Sequence, residues 1–564
     1  MQSLIPNYKI MNAGAAPLVA AFCREIKLRD IIDEMVTWDP KQCCLSPGAL
    51  IEALVINVLV ARKPLYRVEE FYRDMDLGVL FGEGVTADAF NDDALGRSLS
   101  KLAAAHPNRV YLALALSAIK VHEVDVGAVH ADTTSISMAG EYDREENPAI
   151  DITYGYSKDH RPDLKQFLYG LITTTDGIPI FGELMDGNLS DKTWNQEVLE
   201  RLETILPNGN NKHIYVADSA LVTRGNLEIM HTQKIPFISR LPETFGIASE
   251  LKEAAWSEAR WQPIGSLTDK KDAAVYRLQA FKRGLAEHDY RFVVVHSSSL
   301  DKRKEQSITA MVKSRRQELE ESCAALAKRS FFCEADAKKE LEIFLKEHAT
   351  PLFEMKTEIK EEHIQKRRVG RPRKDEPVAC QVQYRAVPSL VEVNEQFVKE
   401  LKAKASTFVL ITNIMNDREL SPAGVLREYK NQTAVELSFR FLKNPVYADG
   451  IFIKNMDRVV AIGYVFLMAL LIYSLLQRRV RQNLARETKP LVIPGQRKSF
   501  SPTGAMLLEM LRPLSVITFK TDAGHVRQVS ENQMTEDIRR LLRLAGFEEG
   551  IYCSTEYGRS PYAW

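Results

Sequence analysis

The chain has 564 residues, 45% of them hydrophobic and 27% charged, an ordinary mixture for a globular protein whose core is large enough to need no covalent staples. Lys plus Arg and Asp plus Glu both total 75, so overall charge gives no sign of a nucleic-acid partner and any basic surface has to be local. The seven cysteines, odd in number and without CxxC spacing, argue against a disulfide framework or a structural zinc site and fit a reducing cytoplasm.

The first residues lack a basic segment followed by an apolar run, so no signal peptide is expected. Residues 1–123 read as a helical N-terminal domain for DNA binding or dimerisation. Leu50 to Val60 repeats apolar residues at helical spacing, and Ser98 to Val121 reads as a second helix rich in Ala and Leu. Near Val124 the texture becomes β-branched, and VDVGAVHADTTSISM reads as a buried strand. Two apolar runs between Lys165 and Asp186 flank Asp176-Gly177, a strong hairpin signal. A helix over Asp191 to Leu206, the strand HIYVADSA, a helix over Leu221 to Gln233 and the strand PFISRL follow. That order predicts an α/β fold with a mixed sheet, not a simple doubly wound one.

From 245 to 405 the pattern breaks. AVYRLQAF and YRFVVVHSS read as paired strands, Lys302 to Glu347 as one long charged helical stretch, and FEMKTEIK as a strand. Then QKRRVGRPRKDEP reads as a loop, STFVLITNI at 406–414 as a strand, and Ser421 to Lys443 as one helix. Val459 to Leu476 carries no charge and reaches the lower length limit of a membrane span. Gly463, Tyr464, Tyr473 and Ser474 interrupt it and no second span exists, so a helix buried in a large core is expected. The last residues suggest a helix near Gly504 to Leu511, a strand at VITFK and a helix from Thr535 to Ala545.

Asp132 and Asp218 each end a predicted strand, where open sheets form their ligand crevice. One such Asp is readily explained as a turn residue. Two at one crevice repel each other unless a cation intervenes. Magnesium prefers oxygen ligands, and two ions about 4 Å apart activate water and stabilise the leaving oxygen in phosphodiester displacement. Glu436 and Lys443 are seven apart, and Tyr429 lies seven before Glu436, so one continuous helix would present all three on one face. The Glu could close a metal site and the Lys neutralise a phosphate. The competing reading is a solvated amphipathic face.

These blocks resemble bacterial insertion-sequence transposases of the DDE class, whose signature runs Tyr, two residues, Arg, three residues, Glu, six residues, Lys. Tyr429, Glu436 and Lys443 fit that spacing, and Gln432 stands where the signature has Arg. HADTTS, VADSALVT, GYSKDHRPDLKQ and GNLSD are also similar to sequences of this group. The resemblance implies a ribonuclease-H-like mixed sheet core in which Asp132, Asp218 and Glu436 are catalytic and hold two Mg2+ ions, with Mn2+ as a substitute. It implies a cytoplasmic endonuclease that binds terminal inverted repeats of double-stranded DNA, cuts, and transfers strands to target DNA as a homodimer, with no membrane. The boundaries expected are 124–244 and 406–480 for the two parts of the core, 245–405 for an α+β insertion outside the sheet, and 481–564 for a C-terminal region. The 217 residues between Asp218 and Glu436 are too many for a simple connector, which supports the insertion independently. A stand-alone nuclease on the same core and a catalytically inactive DNA-binding protein are the rivals.

Further basic residues complete the expected DNA surface. Arg371, Arg373 and Lys374 surround a Gly-Arg-Pro resembling an AT-hook, or belong to a solvated loop. Lys158, His160, Arg161 and Lys165 could line a DNA channel. Arg478, Arg479 and Arg481 either meet DNA or cap the apolar helix.

Overall fold

The computed structural model describes residues 8–138, 142, 149–206, 213–268, 272–299, 302–365, 380–443, 455–521 and 524–554. A short strand, β1 (Tyr8–Asn12), leads into helices that include Ala16–Glu25, Leu28–Met35 and Pro47–Ile56. Ser46 caps the last of these by accepting from the Ala49 amide. The single helix expected over Ser98 to Val121 is two, Asp92–Ala104 and Pro107–Val121. Pro107 has no N–H to continue the first, and His106 before it takes a left-handed φ of 56°.

Among the described residues, nine strands form the central sheet. They are β2 (Ala128–Met138), β3 (Lys165–Thr174), β4 (Pro179–Met185), β5 (Ile214–Ala217), β6 (Phe237–Arg240), β7 (Gln262–Ser266), β8 (Val275–Leu285), β9 (His288–Ser297) and β12 (Thr407–Thr412). Their order is β4-β3-β2-β5-β6-β12-β9-β8-β7. The β3–β4 hairpin turns at Asp176-Gly177, where Gly177 supplies the φ of +79° the turn requires. β2 is antiparallel to β3 but parallel to β5, and β5 is parallel to β6. The helices Asp191–Ile205 and Arg224–Thr232 provide the crossovers that parallel pairing demands.

The expectation that 245–405 stands outside the sheet is corrected. β7, β8 and β9 belong to it, and β12 joins them to β6 by pairing antiparallel on both edges. The reason is burial: Leu278, Val293 and Val295 pack with Val216, Ile238 and Leu410 into a core that spans both parts. Only 302–405 forms a satellite. It holds two helices, Lys302–Ala327 and Glu334–His348, where one long stretch was expected. It also holds the hairpin of β10 (Phe353–Gln365) and β11 (Cys380–Val393) and a helix at Glu395–Ala405. Small cores of its own, around Cys323, Leu341 and Phe344 and around Leu319 and Phe353, support it.

The apolar segment lies in the helix Met456–Leu484, whose most apolar window is 89% buried. It is a core helix. Glycines let it approach β4: a Cβ on Gly463 would come within 2.4 Å of Leu184 Cδ2, and one on Gly182 within 2.6 Å of Leu467 Cδ1. Tyr169 donates to the Gly463 carbonyl at 3.0 Å. The same continuous core takes in the N-terminal helices, the sheet and the C-terminal helix Glu536–Leu544. A small sheet of β1, β15 (Ser515–Thr521) and β16 (Gly524–Val529) and a hairpin of β13 (Leu491–Ile493) and β14 (Arg497–Ser499) complete the architecture.

The arginines after this helix bind protein groups. Arg478 reaches Asp176 and the His122 carbonyl, Arg479 reaches Glu25 and the Ala545 carbonyl, and Arg481 reaches the Pro502 carbonyl. They tie the helix to its neighbours.

Candidate functional site

Asp132 is not at the end of its strand, since β2 continues to Met138. It lies where the neighbouring strand stops. Ala131 pairs with Ala217, the last residue of β5, so Asp132 and Asp218 leave that parallel pair side by side. Asp218 then turns the chain by accepting from the Ala220 amide at 3.0 Å, and Asp132 accepts from the Thr133 amide at 2.7 Å. Local backbone contacts thus aim both carboxylates.

Their electrostatics follow from this crowding. Burial pushes the Asp132 carboxyl up to about 7, the charges of Asp218 and Asp191 push the same way, and Lys158 opposes them. Burial also raises Asp218, again with Asp191 adding and Lys158 opposing. Asp191 opens the crossover helix Asp191–Ile205 after the Ser190 cap. It pairs with the Lys158 ammonium at 3.0 Å and accepts a hydrogen bond from Thr133 Oγ1.

The helix expected to carry Tyr429, Glu436 and Lys443 on one face is two helices, Pro422–Lys430 and Thr433–Leu442. Asn431 and Gln432 join them through tightened i to i−3 hydrogen bonds, Gln432 N to Tyr429 O at 3.3 Å and Ala434 N to Asn431 O at 2.9 Å. The seven-residue spacing therefore does not produce one stripe. Tyr429 is on the first helix, with its hydroxyl pushed up to about 12 by burial, against the opposing Arg240 charge and with the charges of Asp218, Asp132 and Glu436 adding to it. Glu436 is exposed on the second helix, which packs against β2 and β3. Lys443 follows that helix and pairs with Asp159 at 2.6 Å.

A clasp seats the first helix. His130, two residues before Asp132 and fully buried, meets Glu428 at 2.9 Å, and Thr175 donates to the same oxygen at 2.9 Å. Burial works to raise the Glu428 carboxyl, but the bonds from His130 and Thr175 take it below its ordinary value. Beside Tyr429, the Lys430 ammonium stands 5.2 Å from the Phe408 ring centre and the Arg240 guanidinium 5.6 Å from it. Burial lowers Lys430, and the Arg240 charge adds to this.

Among the described residues no three His, Cys, Asp or Glu side chains gather closely enough to hold a metal ion. Asp132 and Asp218 leave β2 and β5 side by side, and Glu436 is carried by the separate helix Thr433–Leu442. Of the other expected DNA contacts, Arg161 pairs with Asp163 at 2.7 Å and Lys165 donates to the Tyr142 carbonyl. His160 is exposed with a left-handed φ of 58°. Arg371, Arg373 and Lys374 lie outside the described residues, between the paired ends Gln365 and Cys380 of the β10–β11 hairpin.

Residues 8–116 match DUF4277, a domain of unknown function. No curated protein matches the chain. The DUF4277 segment covers β1 and most of the N-terminal helices and ends before β2, so it contains none of Asp132, Asp191, Asp218, Glu428 and Glu436. Sequence reasoning passed over Asp191, Glu428 and Arg240. Asp191 had a visible signal, as the first helical residue after the cap Ser190 in GNLSD. Glu428 and Arg240 had none, because their significance is a contact made across the fold.

Proposed function

We propose that the chain is a transposase of the DDE class with a ribonuclease-H-like core, which cleaves and transfers DNA strands at the ends of an insertion sequence. One observation carries the reading: Asp132 and Asp218 emerge side by side from a parallel strand pair, half-buried and mutually repelling, where the sheet changes from antiparallel to parallel pairing. Open α/β sheets place their ligand crevice outside the carboxyl ends of parallel strands, and Asp218 directly follows the carboxyl end of β5. Buried like charges are costly, and a sheet that needed only a turn residue would have no reason to keep both.

The donor set fits a hard divalent cation, being made of carboxylate oxygens with no thiol or imidazole among them, and burial raises the proton affinity of Asp132 and Asp218. Asp132, Asp218 and Glu436 would hold magnesium there, with Glu436 drawn in from the helix packed on β2 and β3. Bound magnesium would supply water activation and stabilisation of the leaving oxygen. The chain's own residues would do the rest. Lys430 and Arg240 would offer positive charge to the DNA backbone next to Tyr429. The His130–Glu428–Thr175 clasp would keep the helix of Tyr429 seated.

The test is strand cleavage, in magnesium, of a DNA substrate carrying the element's terminal inverted repeats. Asp132→Asn, Asp218→Asn and Glu436→Gln should each abolish cleavage and leave end binding nearly intact. Cleavage near the wild-type rate by the Asp132 or Asp218 variant would refute the assignment, and by the Glu436 variant would remove that residue from the triad. Cleavage of any duplex with no preference for the ends would favour a stand-alone nuclease.

A further inference from the structure

Lys158 belongs to a loop that could face a DNA channel, yet its ammonium turns inward. It donates to the Thr133 carbonyl at 2.8 Å and to Thr133 Oγ1 at 2.7 Å, and it pairs with Asp191 Oδ2 at 3.0 Å. An ammonium has three hydrogens, so these partners use all of its donors and leave none for a phosphate. The same nitrogen is 3.9 Å from Asp132 Oδ1. Its backbone is held as well, because the Lys158 amide donates to Ser135 Oγ at 3.0 Å. Thr133 Oγ1 accepts from Lys158 while donating to Asp191, so the tether is a closed network. The charges of Asp218 and Asp191 act on Asp132 and that of Asp191 acts on Asp218, while Lys158 opposes them at both.

We infer that Lys158 is the resident counter-ion of this carboxylate cluster, held by Asp191 and Thr133, and that a divalent cation binding at Asp132 and Asp218 has to displace it. The inference rests on the metal-site reading above and adds an exchange: ammonium out, divalent ion in. Two like charges cannot share the cluster at short range without loss of affinity. Lys158 therefore lowers cation affinity and stabilises the metal-free chain. Displacement also bears on the neighbouring residue Asp159, which holds Lys443 just past the Glu436 helix.

The experiment uses the full chain without DNA and Mn2+ alone as the probe. Mn2+ affinity is measured by electron paramagnetic resonance for the wild type, Lys158→Met and Asp132→Asn. Lys158→Met should bind Mn2+ about tenfold tighter or more, the effect of removing a unit charge about 4 Å away. Asp132→Asn should lose most binding. In parallel, wild-type lysines are acetylated and the sites read by peptide mass spectrometry, which needs no variant to fold. Lys158 should react slowly without Mn2+ and faster as Mn2+ saturates the cluster, while the exposed Lys338 keeps one rate. If Lys158→Met binds no tighter, or Lys158 acetylation ignores Mn2+, while Asp132→Asn loses the ion, Lys158 is a fixed strut and the exchange is refuted with the metal site intact. If wild type and Asp132→Asn bind Mn2+ equally, the metal-site reading itself fails and the exchange with it.

Discussion

Where β5 stops beside β2, Asp132, Asp218 and Asp191 share one ammonium, that of Lys158, in partly buried surroundings. Among the described residues of the satellite at 302–405, acids and bases pair in the open, as Arg315 does with Glu318, Arg316 with Glu320 and Lys338 with Glu334. The satellite's pairs keep their water and contribute little to stability. The carboxylate cluster carries more negative charge than its surroundings neutralise, which costs the fold free energy. An arrangement that costs stability and is not needed to turn the chain marks the place where chemistry is to be sought.

The largest contrast should appear in activity. Asp132→Asn or Asp218→Asn should lower strand cleavage by about three orders of magnitude or more, since the stabilisation at stake is several kcal/mol. Alanine at both Arg316 and Glu320 should leave cleavage unchanged in the same assay. A comparable loss from the surface pair would erase the distinction.

The next largest is a pH effect on the metal-free chain. Asp132 holds its proton up to about pH 7 when folded but only to about 4 when unfolded. Between those values the folded state binds more protons, so stability should fall as pH rises through that window, by ~4 kcal/mol at most. Urea midpoints read between pH 4 and 8 should show the decline, and Asp132→Asn should flatten it. A midpoint that rises through this window in the wild type and keeps the same course in the variant would contradict the burial of Asp132.

A smaller effect separates the satellite's basic loop from the carboxylate cluster. Alanine at Arg371, Arg373 and Lys374 should flatten the log-log salt dependence of end binding by about two to three units while cleavage at saturating DNA persists. Unchanged slope and affinity would mean a solvated loop.

The smallest effect should come from removing the satellite altogether. Its entry and exit adjoin, with the Ser297 amide donating to the Ser406 carbonyl at 3.1 Å and His296 paired with Thr407. Replacing 300–405 by a short turn should therefore shift the melting temperature of the rest by only a few degrees, on the scale of about 1 kcal/mol. Extending the deletion back through β7, β8 and β9 should instead abolish folding, because Val216, Ile238 and Leu410 would lose the core they share with Leu278, Val293 and Val295.

Much of this was legible in the residues because it is local. Asp176-Gly177 between two apolar runs dictates a hairpin, since Gly177 meets the positive φ without a Cβ. The β-branched texture before Asp132 and Asp218 reports strands buried on both faces. The uncharged run after Arg458 needed either lipid or a core, and the glycines at 182 and 463 let it pack onto β4. What tertiary structure alone decided lies between residues far apart in the chain. Whether β8 and β9 left the sheet or extended it depended on both edges of β12, and no local pattern records which edge a strand takes. The break at Asn431 and Gln432 defeated a spacing argument that assumed one straight helix. Lys158 read as a basic residue of a loop, and only the folded chain turned its ammonium onto Asp191 and Thr133, because an ion pair is a property of two positions brought together and neither sequence neighbourhood contains the other.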